Sequence, residues 1–213
     1  IEFGRYIILI SLIKFIGLPM MVGYPYYILR QSSYIKSNKR KENNFLLLRN
    51  IYLIVIYLFL ISLIVFLIHI WDQNFLNINF NLLLLGIFII IPTLSINNSI
   101  SSVIRTSNGE IKGQILEKLI PNVFFILLTL IYFLLFGLHE HHISIYLFST
   151  SSILTLIFSL IQIKGIYWNN FKFKKVISDI KESSIIVFIQ IFVLFNNLFP
   201  LIILGFFETP DVV

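Results

Sequence analysis

Long apolar runs of similar length alternate with short polar intervals along the whole chain. Six runs can be drawn, at about 6–29, 45–70, 80–104, 119–138, 143–163 and 184–207. Inside each run the apolar residues are continuous, whereas a membrane β-strand would alternate with period two. About 20 apolar residues in a helix cross a hydrocarbon core of ~30 Å. The pattern therefore predicts an all-α integral membrane protein, a polytopic bundle of six transmembrane helices.

The polar intervals test this division. Arg30, Lys36, Lys39, Arg40, Lys41 and Arg49 follow the first run. Arg105, Lys112 and Lys118 follow the third, and Lys164, Lys172, Lys174, Lys175 and Lys181 the fifth. "WDQNFLNIN" after the second run and "HEHH" after the fourth hold no lysine or arginine, and "ETPD" after the sixth is acidic. Short loops rich in lysine and arginine stay cytoplasmic. The intervals 30–49, 105–118 and 164–183 are thus expected inside, with the N-terminal edge outside. Trp71 falls at an outer end, and Tyr167 and Trp168 at an inner end, where amphipathic rings are stable. In 164–183, Val176, Ile177 and Ile180 share a helical face opposite Lys174, Lys175, Asp179 and Lys181. This suits a short helix on the inner surface, or a solvated linker.

Composition sharpens the class. Of 213 residues, 58% are hydrophobic and 12% charged, against about 25% charged in soluble domains; mean hydropathy is +0.92. The net charge of +6 sits in the inner intervals and does not point to nucleic acid. Without cysteine there is no disulfide, thiolate metal site or cysteine nucleophile in this segment. The start "IEFGRY" is no signal peptide, and the end "FFETPDVV" follows directly on an apolar run. Both edges read as cuts through a longer chain.

Lys14 is the first candidate for chemistry. It lies about a third of the way through the first run, where a charge costs roughly 2.5 to 3.5 kcal/mol on insertion scales. It either faces a bundle interior or wet cavity, or snorkels to the nearer interface. The same run holds Gly17, Pro19, Gly23 and Pro25. Prolines free carbonyls that need partners inside a bilayer. Such breaks line transporter paths, or serve close helix packing. Between the third and fourth runs, "TSNG" is turn chemistry around Gly109. From Ile111, Ile115 and Leu119 an amphipathic helix is expected to lie at the inner surface, with Pro121 kinking it as it enters the bilayer. Glu117 is placed to pair with Arg105 across that turn and fix two spans. His139 to His142, "HEHH", is too crowded for three imidazoles on one ion and reads as an exposed loop. Asn196 and Asn197, near Pro200, are polar at midspan, bonding between helices or facing a polar lumen. No GK[ST] phosphate loop, HExxH, GxSxG or cluster of acids at bilayer depth is present, so catalysis in this segment is not expected and no cofactor is implied.

Three stretches, "EFGRY…LPMMVGYPYYILR", "IPTLSINNSISSVIRTSNGEIKGQILEKLIPNVFF" and "FNNLFPLIILGFFETPDVV", resemble the oligosaccharide flippases of the Wzx type. That family belongs to the superfamily of multidrug and toxin extrusion transporters and lipid II flippases. The family's arginine ending a helix, then arginine, glycine, glutamate and proline around a turn, correspond to Arg30, Arg105, Gly109, Glu117 and Pro121. The family's aspartate in the seventh helix is absent, with Asn196 and Asn197 in its place. The resemblance covers nearly the whole chain. It implies the first lobe of a two-lobed, inverted-V transporter of roughly 12 to 14 helices with alternating access. Residues 1–163 would carry family helices 2 to 6, with helix 1 missing. Residues 164–183 would be a cytoplasmic linker between lobes, and 184–213 the truncated first helix of the second lobe.

The implied substrate is an undecaprenyl-pyrophosphate-linked oligosaccharide, flipped from inner to outer leaflet of the bacterial plasma membrane for O-antigen, lipopolysaccharide or other surface polysaccharide. Lys14, Asn196 and Asn197 would meet it in the cavity, with Arg30 and Arg105 at the inner mouth. Gly17, Pro19, Pro25, Gly109, Glu117 and Pro121 would be structural or hinge positions. Besides the bilayer, a polysaccharide polymerase and glycosyltransferases are implied partners. The alternatives are a cation-coupled drug exporter of the same superfamily, a polytopic polysaccharide-assembly enzyme such as a polymerase or acyltransferase, and a structural membrane subunit.

Overall fold

A computed structural model describes residues 2–34, 40–71, 80–137 and 143–163, with residues 184, 185, 188, 189, 192 and 193. All elements among them are helical. They are α1 (Glu2–Leu18), α2 (Tyr24–Tyr34), α3 (Arg40–Trp71), α4 (Phe80–Leu85), α5 (Ile91–Asn108), α6 (Glu110–Gln114), α7 (Ile120–Phe136) and α8 (Ile143–Gln162). Wide π-turns join three pairs: Pro19–Gly23 between α1 and α2, Gly86–Ile90 between α4 and α5, and Ile115–Leu119 between α6 and α7.

Five candidate spans result: Leu9–Ser33, Leu47–Leu67, Asn81–Ser107, Glu110–Phe136 and Ile143–Gln162. The expected sixth run, 184–207, lies mostly outside the described residues, and the whole 164–183 interval, "HEHH", Asn196 and Asn197 lie outside them. The amphipathic helix expected from Ile111 is present and runs on through the π-turn into α7, so one helical stretch covers Glu110–Phe136. One expectation is corrected: the inner intervals are not plain loops, since residues 30–34, 40–49 and 105–108 are also helical and helical hydrogen bonding extends past the apolar runs.

The three π-turns share one cause. Each ends two residues before a proline, with Tyr24, Ile91 and Ile120 intervening before Pro25, Pro92 and Pro121. A proline has no N–H, and its ring collides with the carbonyl four residues back. Opening the preceding turn by one residue moves that carbonyl aside. The N–H of Tyr24 accordingly reaches back five residues to the Pro19 carbonyl, that of Ile91 to Gly86, and that of Ile120 to Ile115. Wide turns of this kind recur at functional sites.

The packing inverts that of a soluble bundle. α5 is the central helix, against α1, α2, α3, α6, α8 and the π-turns. Its Ser95, Asn97, Ser99 and Ser101 are completely buried, as are Thr155 and Ser159 of α8 and Asn50 of α3. Large apolar side chains face outwards instead: Phe59, Leu60 and Phe66 on α3, and Ile126, Leu134 and Phe136 on α7. In water this arrangement would expose a broad apolar surface and bury many polar groups. In lipid it is stable, because polar side chains find partners only between helices. Two apolar clusters flank the polar belt. One gathers Leu9, Ile10, Ile13, Met21, Ile87, Ile90, Ile91 and Leu94; the other gathers Tyr24, Tyr27, Ile28, Leu47, Ile100, Val103, Ile104 and Leu116.

Candidate functional site

The belt on α5 is the chemically richest region among the described residues. Its hydrogen bonds go to groups that the helix breaks release. In an unbroken helix the Met20 carbonyl would take the N–H of Tyr24, which the wide turn diverts to Pro19. The Met21 carbonyl would take the N–H that Pro25 lacks. Ser95 Oγ donates to the Met20 carbonyl at 2.6 Å, and Asn98 Nδ2 to the Met21 carbonyl at 2.7 Å. The carbonyl of Leu116, bypassed in the same way before Pro121, accepts from Asn97 Nδ2 at 3.3 Å. Asn97 Oδ1 in turn accepts from Ser159 of α8. Thr93 Oγ1 donates to Ser152 Oγ at 3.0 Å, and Asn50 Nδ2 donates to Ser99 Oγ. Tyr57 of α3 donates to the Ile16 carbonyl, one turn before the first break.

At the end of α5 that leads into the Gly109 turn, Arg105 donates to Glu117 Oε2, and Ser101 Oγ donates to the same oxygen at 3.1 Å. The pair suggested by the sequence is therefore formed. It is partly buried, with side-chain exposures of 14% and 26%. Gly113 permits it: an added Cβ there would lie 2.3 Å from Arg105 Cγ and 2.7 Å from the Ser101 carbonyl oxygen. Gly109, at φ +105°, makes the sharp reversal into α6 and has no neighbour around its Cβ position.

Lys14 is accessible, yet its helical neighbours Ile10, Ser11, Gly17 and Leu18 are all buried. Its side chain reaches towards α8. There its ammonium lies 5.7 Å from the Phe148 ring centroid, within cation–π reach. Arg30 is exposed near the far end of the same span, about 24 Å along the helix at 1.5 Å per residue. Lys14 and Arg30 are thus not brought together, and Arg105 is engaged by Glu117. Gly17 is packed tightly, its Cβ position 2.5 Å from Met21 Sδ and 3.0 Å from Ile91 Cγ1. Pro25 and Pro121 are buried and Pro19 partly so, each in or just after a π-turn.

The sequence reading missed Arg49. Counted with the inner basic cluster, it is 5% exposed between α3 and its neighbours, in electrostatic contact with Tyr24. A signal was present, since Arg49 follows the apolar "FLLL" and precedes a long apolar run. Among the described residues no group of histidine, cysteine, aspartate or glutamate can hold a metal ion.

No protein-family model, curated protein or solved structure matches this chain. The chain is a polytopic helical membrane protein with five candidate spans among the described residues.

Proposed function

We propose that this protein is a membrane transporter that flips an undecaprenyl-pyrophosphate-linked oligosaccharide between leaflets, as the resemblance to the Wzx-type flippases implies. The observation that carries the reading lies on the first span. It combines an accessible cation at bilayer depth, Lys14, with a proline break whose free carbonyls are held by a polar helix in the bundle interior. Broken helices beside polar interiors form the substrate sites of many transporters. A pyrophosphate headgroup needs a cation within its reach, and an accessible Lys14 beside Phe148 supports that reading. Arg30 at the inner mouth would attract the same charge first. Arg105 is better assigned to structure, given its bond to Glu117.

The test is complementation. The whole reading frame is expressed in a bacterium lacking its own oligosaccharide flippase, beside Lys14→Ala at matched membrane abundance, and surface polysaccharide is measured. Restoration that is lost in Lys14→Ala is the expected result. Equal restoration by both would keep the flippase reading and return Lys14 to snorkelling. Absence of restoration with several lipid-linked sugars, together with export of cationic dyes, would replace the reading with the drug-exporter alternative.

A further inference from the structure

The break in the first span divides two packing units. Leu9, Ile10 and Ile13 of α1, with Met21, belong to the cluster that holds Ile91 and Leu94 of α5. Tyr24, Tyr27 and Ile28 of α2 belong to the other cluster, with Ile100, Val103 and Ile104 of the same helix. The polar belt lies between. No intrahelical bond holds the Met20 and Met21 carbonyls at the junction, because the wide turn bypasses one and Pro25 cannot serve the other. Both are held by side chains one turn apart on a single helix, Ser95 and Asn98.

We propose that the Met20–Met21 junction is a hinge and that Ser95 and Asn98 form its latch. With both donors engaged, α1 and α2 are fixed against α5 as the structure shows. With both released, α1 pivots relative to α2 at the junction, and Lys14 shifts against Phe148 of α8. Two hydrogen bonds are exchanged; because α5 belongs to both clusters, α1 slides against Ile91 and Leu94 while the contacts of α2 with Ile100, Val103 and Ile104 stay in place. The other breaks do not share this arrangement. Leu116, at the third, is bonded by Asn97, which is itself tied to Ser159 of α8 and so spans three elements. The inference concerns motion alone and stands whether or not the transported substrate is the one proposed above.

The chain offers a direct probe, since Met20 and Met21 are its only two methionines. Growth with carbonyl-¹³C methionine, and removal of any start methionine with a cleavable leader, labels these two carbonyls alone. Isotope-edited infrared spectroscopy then reads their hydrogen bonding in liposomes. The absence of cysteine allows paired spin labels at Leu12 and Leu134, reporting on α1 against α7, and at Ser33 and Gln114, reporting on α2 against α6. In Ser95→Ala/Asn98→Leu we expect the labelled band to move to higher frequency. The 12/134 distance distribution should shift or gain a second population while 33/114 stays unchanged. Thr93→Val, which removes an α5–α8 bond away from the junction, should leave both pairs as in the wild type. Three results overturn the proposal: an unchanged 12/134 distribution after the band has moved, equal change in both pairs, or the same response from Thr93→Val. Should the double variant fail to fold, Pro25→Ala decides. It restores the N–H for Met21, so it should narrow the 12/134 distribution and make Asn98→Leu silent; a broader distribution refutes the latch.

Discussion

Replacing Gly113 by alanine tests the closeness of α5 and α6 through the sign of the change. Glycine inside a helix is about 0.8 to 1.0 kcal/mol worse than alanine. If propensity were all that mattered, Gly113→Ala would stabilise the protein by about that amount. The structure argues the opposite. The new Cβ would lie 2.7 Å from the Ser101 carbonyl oxygen and 3.1 Å from the Arg105 nitrogen, both backbone atoms of α5. It would also lie 2.3 Å from Arg105 Cγ, on a side chain pinned through its guanidinium to Glu117. Neither obstacle is a loose side-chain tip, so α6 must retreat from α5 by several tenths of an ångström. Overpacking of this kind costs typically 1 to 3 kcal/mol, so about 0 to 2 kcal/mol remains as net destabilisation after the propensity gain. Withdrawal also lengthens the Arg105–Glu117 bond, which adds to the loss. The measurement is unfolding of the purified protein in mixed micelles under titration with a denaturing detergent, followed by circular dichroism. Gly113→Leu should be worse than Gly113→Ala. An alanine variant more stable than wild type would falsify the close approach.

Three further predictions use the same assay. Gly109→Ala meets no atom within 4 Å, so its cost is confined to the backbone at φ +105°, about 1 to 3 kcal/mol; a neutral result would mean that the reversal is not built on that conformation. Asn97→Ala strands the Leu116 carbonyl in a fully buried site, at roughly 1 to 3 kcal/mol, while the Ser159 hydroxyl keeps the Thr155 carbonyl as its acceptor, so Ser159→Ala in the same background should add little. Additive losses in that cycle would deny the bridge. Arg105 and Glu117 lie between the exposed limit of ~0 to 1 kcal/mol and the 3 to 5 kcal/mol of breaking a buried pair, so a cycle with Arg105→Gln and Glu117→Gln should give a coupling of about 1 to 3 kcal/mol, which added salt should weaken only slightly. A coupling near zero would leave Ser101 as the only effective partner of the carboxylate.

What the sequence could reveal follows from where each feature's cause resides. Spans come from apolar runs, a local property, and four of the five candidate spans start and end within a few residues of the runs. The Arg105–Glu117 contact was also legible, because the turn at Gly109 and the helical period from Ile111 bring residues 12 apart in sequence to one junction. So was the helix that leads into the fourth span, read from the period of Ile111, Ile115 and Leu119 and present in the fold. Arg49 was not legible: a positive residue beside a basic interval reads as an inner anchor, and its burial is decided only when the helices dock.

The polar belt shows the deeper limit. Pro19, Pro25 and Pro121 mark backbone damage on sight, and Asn97, Asn98 and the serines after them mark unusual polarity in an apolar run. Each signal is readable alone. What joins them is the requirement that a carbonyl released inside a bilayer must find a donor, and that requirement names no partner until the helices are docked. Once they are, the choice is narrow. Met20 and Met21 release neighbouring carbonyls, and Ser95 and Asn98 are three residues apart, so one helix face serves both. The break and the belt therefore constrain each other. Removing the proline would leave the amide of Asn98 without its acceptor, and removing Asn98 would leave the Met21 carbonyl without its donor. An excess of polar side chains opposite a proline break can then be read as two halves of one requirement, which is why Pro25→Ala should offset Asn98→Leu when either change alone disturbs the span.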